Sequence, residues 1–231
     1  MRPDAQFDQD GRLTSERYGD VYYSGDGVQE TQHVFVGGND LLERFKATRG
    51  TFVIGETGFG TGLNFLAAAQ CFARLAPKPA RLVFVTTELH PLSAVTLAAA
   101  HEQLPADLQP LARELRAALA AKPTTASQRF ALLGGRIVLH VLFGDATEAL
   151  GCHAFAADAW FLDGFSPARN PAMWSFKLLR EVANHTATNG TFATYTVAGH
   201  VRRSLQDAGF AVDRAPGFAP KREMLQGQRK P

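Results

Sequence analysis

The stretch Phe52-Val53-Ile54-Gly55-Glu56-Thr57-Gly58-Phe59-Gly60-Thr61-Gly62-Leu63-Asn64-Phe65-Leu66 carries the residue types needed to hold a small polar ligand. Glycines alternate at 58, 60 and 62 between an apolar run and a helical pattern. The backbone can therefore approach a ligand with no Cβ in the way, and the amides of a helix start point at it. A nucleotide-type ligand suits such a loop. The two phosphate-binding patterns fit poorly: G-x-G-x-x-G would need its third glycine at Leu63, and G-x-x-x-x-G-K-[ST] lacks its lysine. What stands there is acidic-x-G-x-G-x-G. A sulfonium with an amino acid tail has no pyrophosphate and gains from a carboxylate near its ammonium group. Glu56, Gly58, Gly60, Gly62 and Asn64 are accordingly candidate ligand contacts.

Three further acids follow apolar runs. Glu88 lies 26 residues after Gly62, where doubly wound folds place an acid on the ribose hydroxyls. Asp145, in Phe143-Gly144-Asp145, suits an adenine amino group or a backbone amide. Asp163 ends Trp160-Phe161-Leu162-Asp163. Any one of these could be a helix N-cap. Together with Glu56 they put four acids on the carboxyl edge of one sheet, where open α/β folds bind ligands.

The elements that must position these residues are legible as alternation. Apolar runs at Thr51–Gly55, Leu82–Thr87, Arg136–Phe143, Ala159–Leu162 and Gly190–Thr196 predict buried strands. Helical patterns fill the gaps at Leu63–Leu75, Ser93–Gln103, Ala106–Ala121, Met173–Ala187 and His200–Ala208, with Gly209 as a C-cap. This is an α/β chain with a doubly wound, mostly parallel Rossmann-like sheet. An N-terminal β-hairpin is expected from Asp20–Ser24, a Gly25-Asp26-Gly27 turn and Gln32–Val36. An antiparallel C-terminal strand pair is expected from Phe210–Arg214 and Glu223–Gln226. Residues 1–50 form an extension packed on the main domain, 51–231.

Composition narrows the function. The 231 residues are 45% hydrophobic and 20% charged, enough for a core without staples. Cys71 and Cys152 have no C-x-x-C spacing, and the seven histidines show no metal-ligand spacing, so no metal is expected. His140 and Trp160 lie inside apolar strands and are expected in the core. The polar start is wrong for a signal peptide and no apolar run is long enough to span a bilayer, so a cytoplasmic location is expected. Residues 198–231 hold seven Lys/Arg against three Asp/Glu, which permits an anionic partner there.

With these residues in view, the sequence resembles the class I methyltransferases that use S-adenosylmethionine. Within them it is similar to the methyltransferase half of the tRNA 5-methylaminomethyl-2-thiouridine biosynthesis family. The resemblance runs through Ser15–Ser24 (SERYGDVYYS), Glu56–Leu66, Phe143-Gly144-Asp145, Asp158–Trp174 (DAWFLDGFSPARNPAMW) and Gly199–Leu225, of which Asp158–Trp174 is the most specific. It implies methylation of the exocyclic amine of 5-aminomethyl-2-thiouridine at the tRNA wobble position, with S-adenosylhomocysteine as by-product. It also implies an FAD-dependent oxidoreductase as a fused or separate partner. His90 stands where the family pattern leads one to expect an aromatic or aliphatic residue.

The resemblance assigns roles. Asp163 would orient the amine and act as its base, with Phe165 and Pro167 as an apolar wall. Tyr22 and Tyr23 alternate sides if they lie on a strand, so at most one faces the cofactor, and Tyr22 is the candidate. Arg169, Lys177, Arg202, Arg203, Lys221 and Arg222 are candidates for tRNA phosphates, and Trp174 for stacking on a base. A nicotinamide-dependent oxidoreductase on the same fold is the competing reading; Leu63 and Glu56 count against it. A third possibility is a catalytically silent RNA-binding module, against which the full set of four acids argues.

Overall fold

The computed structural model describes residues 5–23, 26–120 and 125–230. Its centre is an eight-stranded sheet in the order β10-β11-β9-β8-β4-β5-β7-β6. Five strands run parallel: β4 (Thr51–Thr57), β5 (Arg81–Glu88), β7 (Ile137–Phe143), β8 (Ala157–Leu162) and β9 (Thr186–Thr194). The chain moves outward from β4 through β5 to β7, then returns to β8 and β9 on the other side. That reversal makes a topological switch point between β4 and β8, and the carboxyl ends of these two strands face one crevice.

Helices cover both faces. Those on one side are α2 (Leu41–Ala47), α3 (Leu63–Leu75) and α5 (Gln109–Ala118), which bury Phe45, Phe65, Phe72 and Leu115 with Phe84 and Phe161 of the sheet. On the other, α6 (Ala146–Gly151), α7 (Phe176–Asn184) and α8 (Gly199–Asp207) pack Leu150, Leu178, Val182 and Leu205 around Trp160. Successive strand residues point to opposite faces, so Trp160 and Phe161 fall in different halves of the core. The remaining helix, α4 (Ala94–Glu102), is capped by Ser93, whose hydroxyl accepts the Thr96 N–H.

The parallel strands and the helices α3, α4, α5 and α8 follow the apolar pattern, with ends shifted by a few residues, whereas that pattern predicts neither α2 nor α6. Three differences have physical causes. The strand expected at Gln32–Val36 is instead a π-helical turn, Gln32–Gly37, following the short helix α1 (Gly27–Thr31). Val34, Phe35 and Val36 are all buried in succession, which a hairpin strand with one face in solvent cannot do, and Phe35 stacks on Phe161 at 5.1 Å. The N-terminal antiparallel pairing is made earlier in the chain, by β1 (Ala5–Phe7), β2 (Leu13–Ser15) and β3 (Asp20–Val21). Ser24 and Gly25 of the expected turn lie outside the described residues.

Second, the helix read over Met173–Ala187 divides into a 3₁₀ turn, Pro171–Trp174, and α7, which begins when the Ser175 hydroxyl caps the Leu178 N–H. Third, β6 (Ser127–Leu132) adds an antiparallel edge strand beside β7 that the apolar pattern did not reveal. The C-terminal pair is present as β10 (Phe210–Pro216) and β11 (Glu223–Arg229), joined to the sheet through β9. Among the described residues no helix is long and apolar enough to cross a membrane.

Gly55 on β4 pairs directly with Trp160 on β8. A Cβ there would stand 2.6 Å from the indole, whose surroundings are fully buried. Gly55→Ala is expected to lower unfolding stability by about 1–3 kcal/mol, as overpacking of a tight core does; a denaturation midpoint equal to that of the native chain would show that the ring moves freely.

Candidate active site

The crevice at the switch point is a cavity of about 480 Å³. Its floor is the glycine loop between β4 and α3. At Gly60, with φ +55°, a Cβ would meet the Tyr22 ring at 3.3 Å, so only glycine leaves the backbone open to the cavity. Gly58 also lines the space. Gly62 does not: it turns into α3 with φ +74°, and a Cβ there would strike the Phe59 ring at 2.7 Å. Its glycine serves packing under the loop rather than ligand contact.

Glu88, at the end of β5, anchors the same loop. Its Oε2 accepts the Gly60 N–H at 2.9 Å and its Oε1 the His90 N–H at 2.6 Å. The Leu89 N–H is a third donor to this carboxylate, and burial pushes its pKa up despite all three. Asp145 lines the cavity and also caps α6, its Oδ1 accepting the Thr147 and Glu148 N–H groups at 2.9 and 3.2 Å. The cap and ligand readings of Asp145 are therefore compatible, since Oδ2 takes no part in the cap.

Asp163, one residue past β8, sits opposite the loop. Its Oδ2 accepts from the Asn64 amide at 2.6 Å and its Oδ1 from the Gly164 N–H at 2.8 Å. Burial raises its pKa to about 6, the two donors pull it down, Glu30 adds an upward push and Lys221 a downward one. Asn64 spends its second N–H on Glu56 Oε1 at 3.1 Å, and its own oxygen accepts the Thr31 hydroxyl at 2.7 Å. Glu56 is 1% exposed, its other oxygen accepts the Thr86 hydroxyl at 2.7 Å, and burial holds its pKa well above the carboxylate range. It does not line the cavity, so the expected direct contact with a ligand ammonium is corrected: Glu56 acts through Asn64.

The walls are aromatic. Phe165 stacks on Tyr18 at 4.7 Å and meets Tyr22 edge-on at 5.1 Å. Tyr22 and Tyr23 both line the cavity, because the chain leaves β3 at Val21 and strand alternation no longer applies; the Tyr23 hydroxyl donates to Ala100 O at 2.9 Å. Trp174 is 2% exposed, with its indole N–H on Phe165 O at 2.8 Å, so it supports the wall from behind and is not available for stacking on a base. Trp160 and His140 are buried as expected. Pro167, Arg169, Lys177, Arg202, Arg203 and Arg222 lie outside the lining; Arg169, Lys177, Arg203 and Arg222 are exposed, and Pro167 and Arg202 half-buried. Lys221 lies inside it.

Among the lining residues that sequence reasoning left without a role are Tyr18, Asp20, Glu30 and Tyr195. Tyr18 and Asp20 fall in the Ser15–Ser24 stretch that carried part of the family resemblance, and Asp20 Oδ2 accepts the Ser166 N–H at 2.9 Å. Glu30 and Tyr195 had no signal, since nothing in a single sequence brings α1 against the end of β9. With them the described lining holds five carboxylates, Asp20, Glu30, Glu88, Asp145 and Asp163, against one Lys. Such a space favours cationic ligands and opposes a pyrophosphate. Among the described residues no group of side chains has metal-ligand geometry.

Comparison with known proteins agrees with this geometry. Residues 107–230 match the family model described as S-adenosyl-L-methionine-dependent methyltransferase. The tRNA 5-methylaminomethyl-2-thiouridine biosynthesis bifunctional protein MnmC of Ectopseudomonas mendocina is 50% identical over 224 residues, covering 96% of this chain and 34% of its own length. The protein of the same name from Pseudomonas aeruginosa PAO1 is 50% identical over 225 residues, with the same coverage of 96% and 34%. The chain thus spans about a third of the length of these relatives. The crystal structure of MNMC2 from Aquifex aeolicus superposes with a TM-score of 0.80 at 25% identity, covering 99% of this chain and 71% of that one.

The Asn64 amide donates to the ionised form of Asp163, so removing it must favour the protonated acid. In Asn64→Ala the titration midpoint of the Asp163 carboxyl carbon, followed by NMR, is expected to lie above that of the native chain; a midpoint that stays or falls would mean the amide does not govern this group.

Proposed function

The chain belongs to the S-adenosyl-L-methionine-dependent methyltransferases, and from that premise we propose that it methylates the primary amine of 5-aminomethyl-2-thiouridine at the tRNA wobble position. The observation that carries this reading is Asp163: a carboxylate at the switch point, facing an acid-lined and aromatic-walled cavity, where an alkylamine would be attracted and oriented. The printed names of the relatives supply the substrate class, and the long match over 96% of this chain supports carrying it over.

The residues present fit the cofactor. Glu88 lines the cavity with acceptor capacity left for a ribose hydroxyl, Gly58 and Gly60 present open backbone, and Asp145 Oδ2 is free of the cap and can take an adenine amino group. Phe165 and Tyr22 give the sulfonium an aromatic wall. When bound, S-adenosylmethionine supplies a methyl group made electrophilic by the sulfonium charge. The work left to the protein is alignment and proton removal. Asp163 Oδ accepts an N–H of the substrate amine, aims the lone pair along the line of displacement, and takes the proton that nitrogen sheds as its new bond forms. A pKa of about 6 keeps it ionised at neutral pH while making it a better base than an exposed aspartate.

An anticodon base lies in a loop and can be splayed into such a cavity at small cost. The stacked Tyr18–Phe165 pair is the platform this reading gives it, in place of Trp174. Arg169, Lys177, Arg202, Arg203 and Arg222 are the cations left for phosphates, while Lys221 is engaged at the edge of the cavity. The first 50 residues serve as a cap on the 51–231 domain: Tyr18, Asp20 and Tyr22 close the crevice, and Phe35 and Phe45 enter its core. An FAD-dependent oxidoreductase, fused or separate, is the expected partner. The nicotinamide alternative is disfavoured by five lining carboxylates where a pyrophosphate would lie.

Asp163→Asn keeps the shape of the side chain but accepts from only one of Asn64 and Gly164 and cannot take a proton. Methyl transfer to tRNA bearing 5-aminomethyl-2-thiouridine should drop by about 10²-fold or more, with S-adenosylhomocysteine affinity nearly unchanged. In the native enzyme kcat/KM should climb as pH rises through about 6, because the ionised carboxylate is the active form; that limb should vanish in the variant. Turnover close to native in Asp163→Asn would remove this residue from the mechanism. For the cofactor, Glu88→Ala should weaken S-adenosylhomocysteine binding in a calorimetric titration by more than about tenfold, and an unaltered Kd would place the ribose elsewhere.

A further inference from the structure

Lys221 is the only lysine or arginine among the described lining residues, and its side chain, 43% exposed, reaches the cavity from its edge. Its Nζ pairs with Glu30 Oε1 at 2.7 Å and stands 4.0 Å from the centroid of the Tyr195 ring. The ring is fixed for this role: its hydroxyl donates to Gly164 O at 2.8 Å, and Trp174 packs edge-on against it at 5.9 Å. Gly164 adjoins Asp163, so the box of Glu30 and Tyr195 opens directly beside the carboxylate that orients the amine. Glu30 sits on α1, Tyr195 just past β9, and Lys221 on the turn between β10 and β11, held there by its N–H on Phe218 O at 2.9 Å. Three separate parts of the chain therefore converge to seat one primary alkylammonium.

The chemistry of that occupant is the chemistry of the substrate group. A lysine side chain and a 5-aminomethyl group both end in a primary ammonium on a methylene, with the same charge and the same three donors. We propose that Glu30 and the Tyr195 ring form the subsite that receives the substrate's primary ammonium group, and that Lys221 fills this subsite as a stand-in until the substrate displaces it. The inference rests on the methyltransferase reading above and names the residues that select the amine.

The exchange leaves no group stranded. A carboxylate deprived of its cation in a partly closed cavity is costly, and the arriving ammonium replaces one cation with another. The ring face adds a cation–π attraction to either. The displaced Lys221 side chain, on an exposed turn, is free to swing outward, where an RNA phosphate would meet it. A neutral or anionic group at the same position of the uridine would leave Glu30 either paired with Lys221 or facing a repulsion, so the subsite discriminates by charge.

Equilibrium binding tests this without requiring turnover. The protein saturated with S-adenosylhomocysteine is titrated into two anticodon stem-loops, one bearing 5-aminomethyl-2-thiouridine and the other 5-methyl-2-thiouridine, and the ratio of their Kd values is read. Phosphate contacts are common to both loops and cancel in the ratio. The native protein is expected to prefer the amine by about tenfold or more. Glu30→Gln should bring the ratio close to one, Glu30→Asp should restore part of it, and Lys221→Met should raise it by removing the internal competitor. A native preference that Glu30→Gln leaves intact overturns the subsite while the methyltransferase reading stands. No native preference for the amine overturns both. A ratio lowered by Lys221→Met overturns the stand-in role and makes the lysine a contact of the substrate. Unchanged S-adenosylhomocysteine affinity in all variants confirms that they are folded.

Discussion

Everything in the crevice depends on the Asn64 amide. Two carboxyl groups from neighbouring strands, Glu56 on β4 and Asp163 after β8, are brought into one buried corner where burial raises both pKa values and the Asp163 charge pushes that of Glu56 further up. Asn64 lies between them with one N–H for each, at 3.1 and 2.6 Å, and the Thr31 hydroxyl on its oxygen fixes which way the amide faces. A single side chain on the first turn of α3 thus ties together β4, β8 and α1. Burial pushes both carboxyl groups up, and of the two only Asp163 faces the cavity.

The second constraint is the path of the first part of the chain. The parallel sheet with its glycine loop would leave an open trough. Closure comes from the small antiparallel sheet, which delivers Tyr18 and Tyr22 onto Phe165 and lets Asp20 accept the Ser166 N–H. The π-helical turn then drives Val34, Phe35 and Val36 into the core, so the cap shares buried residues with the sheet it covers. A cap built in this way holds its aromatic wall at a fixed distance from the glycine loop. Alignment of two reacting groups requires that kind of rigidity.

How far the sequence reveals this follows from which interactions are local. The parallel strands, most of the helices between them and the acids at the strand ends obey short periodicities, and the structure keeps them. Gln32–Val36 misled because apolar residues in a row satisfy both a buried strand and a wide helical turn, and only the neighbour, Phe161, decides between them. Trp174 looked available because it follows a proline turn, yet its indole N–H finds Phe165 O and its ring faces Tyr195. Glu56 looked like a ligand contact because the motif ends in an acid, whereas the strand's pleat turns that acid under the loop. Glu30, Tyr195 and Lys221 lie on three distant parts of the chain, and no spacing rule joins residues that meet only through tertiary packing.

The same doubly wound frame serves hydride transfer from dinucleotides and methyl transfer from sulfonium ligands, so the frame cannot choose between them. Charge can. Two unit charges 4 Å apart at an effective dielectric constant near 20 interact by about 4 kcal/mol. A pyrophosphate laid against Glu88 or Asp163 meets that as repulsion, and a sulfonium or an alkylammonium meets it as attraction. The lining here puts carboxylates at the ends of β5 and β8, on the N-terminal cap and on α1, and sets its single lysine against one of them. The cavity is therefore selective for cations before any shape is considered, and its two expected occupants, a sulfonium and an ammonium, are both cations. Bringing two like charges together is itself unfavourable, and the lining acids offset that cost.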